Sequence, residues 1–182
     1  MSELVEFVKS IEKKIIVDKD NGREILFNRG NKVTQQDIDL AEERLGLSLP
    51  ESYKDFIRNF GDANFFGLKI FHPNELYSFD STNWEMEGFI PYAIDFIERY
   101  HAFRPVKNIT EYHIYVCSHD PFGYGKVADN FHEWCILNYK MMENFEKGEK
   151  DFNHPFLTVH KDIMDSWKRY KSTLPKKWWQ FW

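Results

Sequence analysis

Cysteine is scarce in this chain. Cys117 and Cys135 are the only two in 182 residues, and they form no C-x-x-C pair. That scarcity argues against a disulfide-stapled scaffold, and none is needed, since one domain of this length buries roughly 70% of the surface of its unfolded chain. Both thiols sit in apolar stretches and read as small buried hydrophobes, which suits reducing, cytoplasmic surroundings. Long apolar runs are missing too. Nothing approaches the roughly 20 residues of a membrane-spanning helix, and the opening MSELVEFVKSIEKK mixes charges into its apolar residues, unlike a signal peptide. No membrane association is expected. Nor is there a basic excess: 24 Lys and Arg face 29 Asp and Glu, for a net charge of −5. Without a cationic footprint, direct nucleic-acid binding is not expected, and the sign suits a basic protein partner.

Complete catalytic spacings are also lacking. A zinc hydrolase would want H-E-x-x-H on a helix; His132-Glu133 begins that pattern, but Ile136 stands where the second histidine should be. Cys117-Ser118-His119 offers two ligand types with no second pair at structural-zinc spacing. Ser118 and His119 lack the G-x-S-x-G elbow. Gly123-x-Gly125 lacks the third glycine and the Lys-Ser/Thr of a phosphate loop. Carboxylate pairs such as Glu42-Glu43 read as solvated faces; a glycosidase pair is defined by its separation in space, which chain spacing does not supply. No catalytic residue, metal or cofactor is therefore expected.

What the chain has in quantity is aromatic side chains, 18% of its residues. Val33 to Gly61 carries the clearest local grammar. Thr34 and Asp37 have capping-box spacing; Ile38, Ala41 and Leu45 recur at helical spacing, and Gly46 supplies a left-handed terminus. Pro50 suits the first position of a second helix, whose apolar stripe is Tyr53, Phe56, Ile57 and Phe60 before Gly61 stops it. Upstream, residues 3 to 16 read as an amphipathic helix, although Asn21-Gly22 could turn a hairpin that pairs Ile15-Ile16-Val17 with Ile25-Leu26-Phe27. Downstream, Phe65 to Phe71 has the content of a strand, and Pro73 to Leu76 reads as a short turn or a single helical turn. Residues 94 to 110 stay open between strand and helix. Tyr112 to Ser118 is the clearest strand, with Phe122 to Gly125 as the turn after it. Asn130, with Glu133 as reciprocal partner, caps a helix running to Gly148, and another helix covers His160 to Lys171.

The run from Glu42 to Phe60, E-x-x-L-G-x-x-L-P-x-x-Y-x-x-F-I-x-x-F, resembles the signature of the SUKH superfamily. Further matches follow in order: NFFGLKI (64–70), similar to the family's first strand, IPYA (90–93), YHIYVC (112–117) and VADNFHEW (127–134); the resemblance implies a strand over Phe89 to Ala93 as well. The similarity spans roughly residues 32 to 140. Many relatives carry a glycine-rich G-D stretch after the I-P-F-A segment, where this chain has Asp95-Phe96-Ile97-Glu98. The resemblance implies an α+β fold, a twisted, mostly antiparallel sheet flanked by helices. It also implies a non-catalytic binding protein, since the superfamily includes bacterial immunity proteins that neutralise polymorphic toxins and a yeast regulator of cell-wall synthesis. One domain over residues 1 to 182 is expected, as a monomer or weak homodimer, with the N-terminal helix and a C-terminal helical extension packed on it.

The partner would be a cognate toxin domain, basic in character and often a nuclease. The expected contact surface is an acidic, aromatic rim of Asp80, Trp84, Glu85, Glu87, Tyr92, Asp95 and Glu98. Its charges would steer association and its aromatics would anchor the complex; the plainer reading is an ordinary acidic loop. Trp178, Trp179, Phe181 and Trp182 read as folding back over the core, with a docking patch as the alternative. Two rival functions stand beside immunity: a regulatory scaffold, and a small hydrolase with an unrecognised His/carboxylate site.

Overall fold

The paired helices form where their end signals place them. In helix α2 (Gln35–Leu45) the Thr34 hydroxyl accepts from the Asp37 N–H while the Asp37 carboxylate accepts from the Thr34 N–H, a reciprocal cap. Gly46 closes α2 at φ 67°, the left-handed region that a Cβ disfavours. Helix α3 (Glu51–Phe60) begins one residue later than expected, with Pro50 as its N-cap. Tyr53, Phe56, Ile57 and Phe60 are all buried. These elements belong to a computed structural model that describes residues 2–19, 22–80, 86–107, 109–149 and 154–173.

Helix α1 (Glu3–Ile11) is shorter than the apolar spacing suggests, because Ile15–Val17 becomes strand β1 and pairs with β2 (Glu24–Arg29), Ile16 opposite Ile25. The hairpin therefore wins the competition for Ile15. The stretch at 64–70 is two strands and not one: β3 (Ala63–Phe65) and β4 (Leu68–Ile70) turn at Phe66 and Gly67, both with positive φ, and the Asn64 side chain accepts from the Gly67 N–H. A 3₁₀ turn covers Pro73–Glu75. Strands β5 (Ile90–Ile94) and β6 (Tyr100–Arg104) form a hairpin across the segment that the sequence left open. Strands β7 (His113–His119) and β8 (Phe122–Ala128) form another. Each strand pairs antiparallel with the next, giving an open eight-stranded sheet among the described residues.

Helices α3 and α4 (Phe131–Lys147) cover one face of this sheet with a nest of aromatic rings. Tyr53 lies 5.2 Å from Phe103 and 5.4 Å from Phe131, Tyr92 stacks on Phe103 at 4.2 Å, and Phe131 stacks on Trp134 at 5.2 Å. Cap chemistry starts α4 nearly as read. Asn130 accepts from the Glu133 N–H, but the Glu133 carboxylate reaches back one residue further, to the Asp129 N–H. One apolar cluster runs from Leu4 on α1 to Ile163 on helix α5 (Pro155–Thr173), which starts five residues before its expected beginning at His160.

Phe122 to Gly125 is strand and not turn; Asp120 and Pro121 make the turn instead. The glycines serve another purpose. On the helix-covered face of β8, a Cβ at Gly123 would press into the Ile163 carbonyl oxygen, and one at Gly125 would lie 2.5 Å from Val159 Cγ2. Bare backbone lets α5 lie directly on β8. Gly123→Ala should therefore lower the unfolding free energy by about 1–3 kcal/mol through overpacking against rigid backbone. Phe56→Ala, which empties part of the nest, should cost about 3–5 kcal/mol. Urea denaturation read by far-UV circular dichroism checks both.

Candidate partner-binding face

Strand alternation sends successive side chains to opposite faces, and the register aligns them in rows. One row on the outer face, away from the nest, is Tyr100–Cys117–Tyr124; the next is Ala102–Tyr115–Lys126. Residues on either side of position 80, Phe79 before it and Met86 and Phe89 after it, lie over these rows. Phe79, Met86 and Phe89 bury themselves with Ala102 and Cys117 in a second apolar cluster, flanked by half-buried Tyr100, Tyr115, Phe122 and Tyr124. The Phe79 N–H donates to the Phe89 carbonyl and the Gly88 N–H to the Phe79 carbonyl, which pins the base of the loop. The Arg104 guanidinium lies over the Phe89 and Tyr115 rings, 5.3 and 5.7 Å from their centres.

Between loop and sheet runs a groove of about 280 Å³, lined by Tyr77, Phe79, Met86, Tyr100, Cys117 and Phe122 among others. Burial and a hydrogen bond with Tyr100 push the Tyr77 phenol up to about 12. Cys117 forms part of the floor, yet it is only 1% exposed, and burial raises its thiol and that of Cys135. Thiols held protonated are poor nucleophiles. Both should resist iodoacetamide in the native protein and react together once it unfolds, as intact-mass spectrometry would record.

The β5–β6 turn stands at one end of the sheet and is built around Asp95. Asp95 Oδ1 accepts from the Ile97 and Arg99 N–H groups at 3.0 and 2.9 Å, and Oδ2 accepts from Arg99 Nε at 2.8 Å. This clamp holds Glu98 at φ 63°, a left-handed position occupied here by a residue other than glycine. It presents Phe96 and Ile97 to solvent at 72% and 54% exposure. Beneath it, buried His101 accepts from the Trp134 indole N–H at Nδ1, 2.9 Å, so the proton of the neutral ring sits on Nε2. That nitrogen is 3.7 Å from Asp95 Oδ2, too far for a direct hydrogen bond, so it acts on the carboxylate through its oriented N–H dipole. Burial would raise Asp95, but the His101 N–H, the Arg99 N–H and the Arg99 charge outweigh it and hold the carboxyl at about 2. Burial lowers His101 against the pull of Asp95.

The seven residues expected on the rim separate on this structure. Asp80, Glu87 and Glu98 are exposed. Tyr92 is fully buried in the nest, stacked on Phe103, so it is not part of a contact surface; a register shift between Pro91 and Ala93 accompanies its placement on the core face. Asp95 is 8% exposed and builds the turn, so its carboxylate is not a free surface charge. Trp84 and Glu85 lie outside the described residues, as do Trp178, Trp179, Phe181 and Trp182. Sequence reading missed Tyr77, Tyr100 and Phe122, whose signal was their alternation with Ser78, His101 and Gly123. Among the described residues no three of His, Cys, Asp and Glu gather as a metal-binding group, and no helix is long and apolar enough to cross a membrane.

The family model of SMI1/KNR4 (SUKH-1) matches residues 32–136, more than half of the chain. The chain belongs to the SMI1/KNR4 (SUKH-1) family. The matched segment spans α2 to the first turns of α4 and so includes the whole outer face and both hairpins beside it. No curated protein matches the chain. SUKH-1 proteins are known as immunity proteins and cell-wall regulators, and membership suggests a non-catalytic role. In this SUKH-1 member β1, β2 and α5 lie outside the matched span but join the same sheet and core.

The Asp95–His101 pair should leave its mark on acid stability. His101, held below its ordinary 6.5, stabilises fully above that pH and loses its contribution as pH falls beneath it. Asp95, at about 2 against an ordinary 3.8, contributes on the order of 2 kcal/mol above pH 4 that fades as pH falls towards 2. Urea unfolding at pH 7.5, 5 and 3 should show both declines, and Asp95→Asn should flatten the lower one.

Proposed function

We propose that this protein is an immunity protein that acts in the bacterial cytoplasm by binding a cognate toxin domain and occluding it, without catalysis of its own. The observation that carries this reading is the outer face: half-buried aromatic rings around an open groove, with exposed Asp80 and Glu87 on the loop above and Glu98 at the neighbouring hairpin tip. Family membership supports it, since SUKH-1 proteins commonly bind toxins. Rim carboxylates suit a basic partner and raise the rate of encounter, while aromatic anchors slow release. By their place in the sequence of this loop, Trp84 and Glu85 are assigned to the same contact. Asp95 and Tyr92 serve it indirectly, one by fixing the hairpin and the other by filling the core beneath.

The test is co-expression with candidate toxin domains taken from the reading frames that neighbour this gene. The parent protein should protect the host. Asp80→Lys with Glu87→Lys should slow association about tenfold at low salt, with the difference shrinking as salt rises and the melting temperature unchanged. Full protection by that double variant combined with Trp84→Ala and Tyr77→Ala would overturn this choice of face. Turnover on nucleotide, ester, peptide or glycoside substrates that is lost with His119→Ala or Glu133→Ala would overturn the binding role itself.

A further inference from the structure

We propose that the outer-face groove is an aromatic cage for a single arginine side chain presented by a protein partner. The identity of that partner rests on the immunity reading, whereas the cage itself rests on the geometry of the rings. Tyr77, Phe79 and Tyr100 meet edge to face, with centres 5.7 Å apart for the first pair and 5.8 Å for the second. Phe79 thus bridges the two tyrosines and sets their spacing. Phe122 and Met86 add apolar walls, with Cys117 and Ser118 below. The volume of about 280 Å³ falls just under the range of small-molecule pockets, about 300–1,000 Å³, and suits one side chain better than a cofactor.

Aromatic faces attract cations, and guanidinium is the cation that also stacks flat on a ring. Elsewhere the protein supplies that cation itself: Arg29 over Phe60, Lys69 over Phe71, Arg104 over Phe89 and Tyr115, Lys171 over Trp167. Among the described residues no lysine or arginine lies over Tyr77, Phe79 or Tyr100, and none lines the groove. Exposed carboxylates stand close in the chain to two of its rings, Asp80 one residue after Phe79 and Asp120 two residues before Phe122. His119 is the one imidazole on the margin among the described residues.

The five methionines give a direct readout, since Met86 alone of the four described ones lines the groove while Met141, Met142 and Met164 serve as internal controls. The full chain, labelled with ¹³C at its methionine methyls, would be titrated at pH 8 with argininamide and, separately, with citrullinamide, which has the same shape but a neutral urea head. Argininamide should shift the Met86 methyl saturably with a dissociation constant on the order of millimolar, and citrullinamide should not. Tyr77→Leu and Tyr100→Leu, which stay apolar, should each weaken the response about fivefold. A silent Met86, an equal response to citrullinamide, or an undiminished response in both variants would overturn the cage. Protection from the toxin alongside a silent Met86 would leave the immunity reading standing and remove the cage. A responding Met86 without protection would keep the cage and assign its arginine to another protein.

Discussion

The packing of Tyr53, Phe131 and Trp134 against Tyr92 and Phe103 is the constraint on which the rest of this structure depends. These rings belong to α3, α4, β5 and β6, so one contact fixes the angle between both helices and the middle of the sheet. Aromatic pairs of this kind contribute beyond simple area burial because edge-to-face and offset contacts have preferred geometries. The Tyr53 hydroxyl adds a directed bond to the Phe71 carbonyl, which ties the chain just after β4 to α3. Once Tyr92 and Phe103 point inward, pleat parity obliges Tyr100 and Ala102 to point outward, and the register carries Tyr115, Cys117 and Tyr124 with them.

The two faces therefore divide the aromatic content of the chain by task. The inner rings are sealed and the outer ones half-covered, with the loop from Tyr77 to Phe89 giving up Phe79, Met86 and Phe89 to secure itself. Asp80 and Glu87 stay exposed beside those three buried side chains. An acidic chain with this arrangement can attract a basic partner over distance and then hold it by desolvating rings, two effects that depend differently on salt.

Much of this was legible in the chain, and what was not has identifiable physical causes. Caps and left-handed termini read correctly at Thr34, Gly46 and Asn130 because they depend on a few adjacent residues. Strand β6 was not legible: Tyr100-His101-Ala102-Phe103-Arg104 is covered on both faces by different neighbours, which erases the alternation that marks a half-buried strand. Gly123 and Gly125 read as a turn because glycine is the default turn residue, whereas their role is to admit a helix that arrives some 40 residues later. Tyr92 and Asp95 look like surface residues beside acidic neighbours, and only the pairing of β5 with β6 assigns one to the core and the other to a turn. Asp80, Glu87 and Glu98 needed no tertiary information to be read as exposed.

The clamp at the β5–β6 turn has a consequence for variation. The hydrogen bonds of Asp95 go to the backbone N–H groups at positions 97 and 99 and to the side chain of Arg99, and to no side chain at 96, 97 or 98. The mount is thus independent of what it displays. New side chains at 96 and 97 can be tried without rebuilding the hairpin, and a glycine at 98 would relieve its left-handed backbone. A lineage facing a changing adversary could swap the displayed pair by single substitutions and keep the same scaffold beneath.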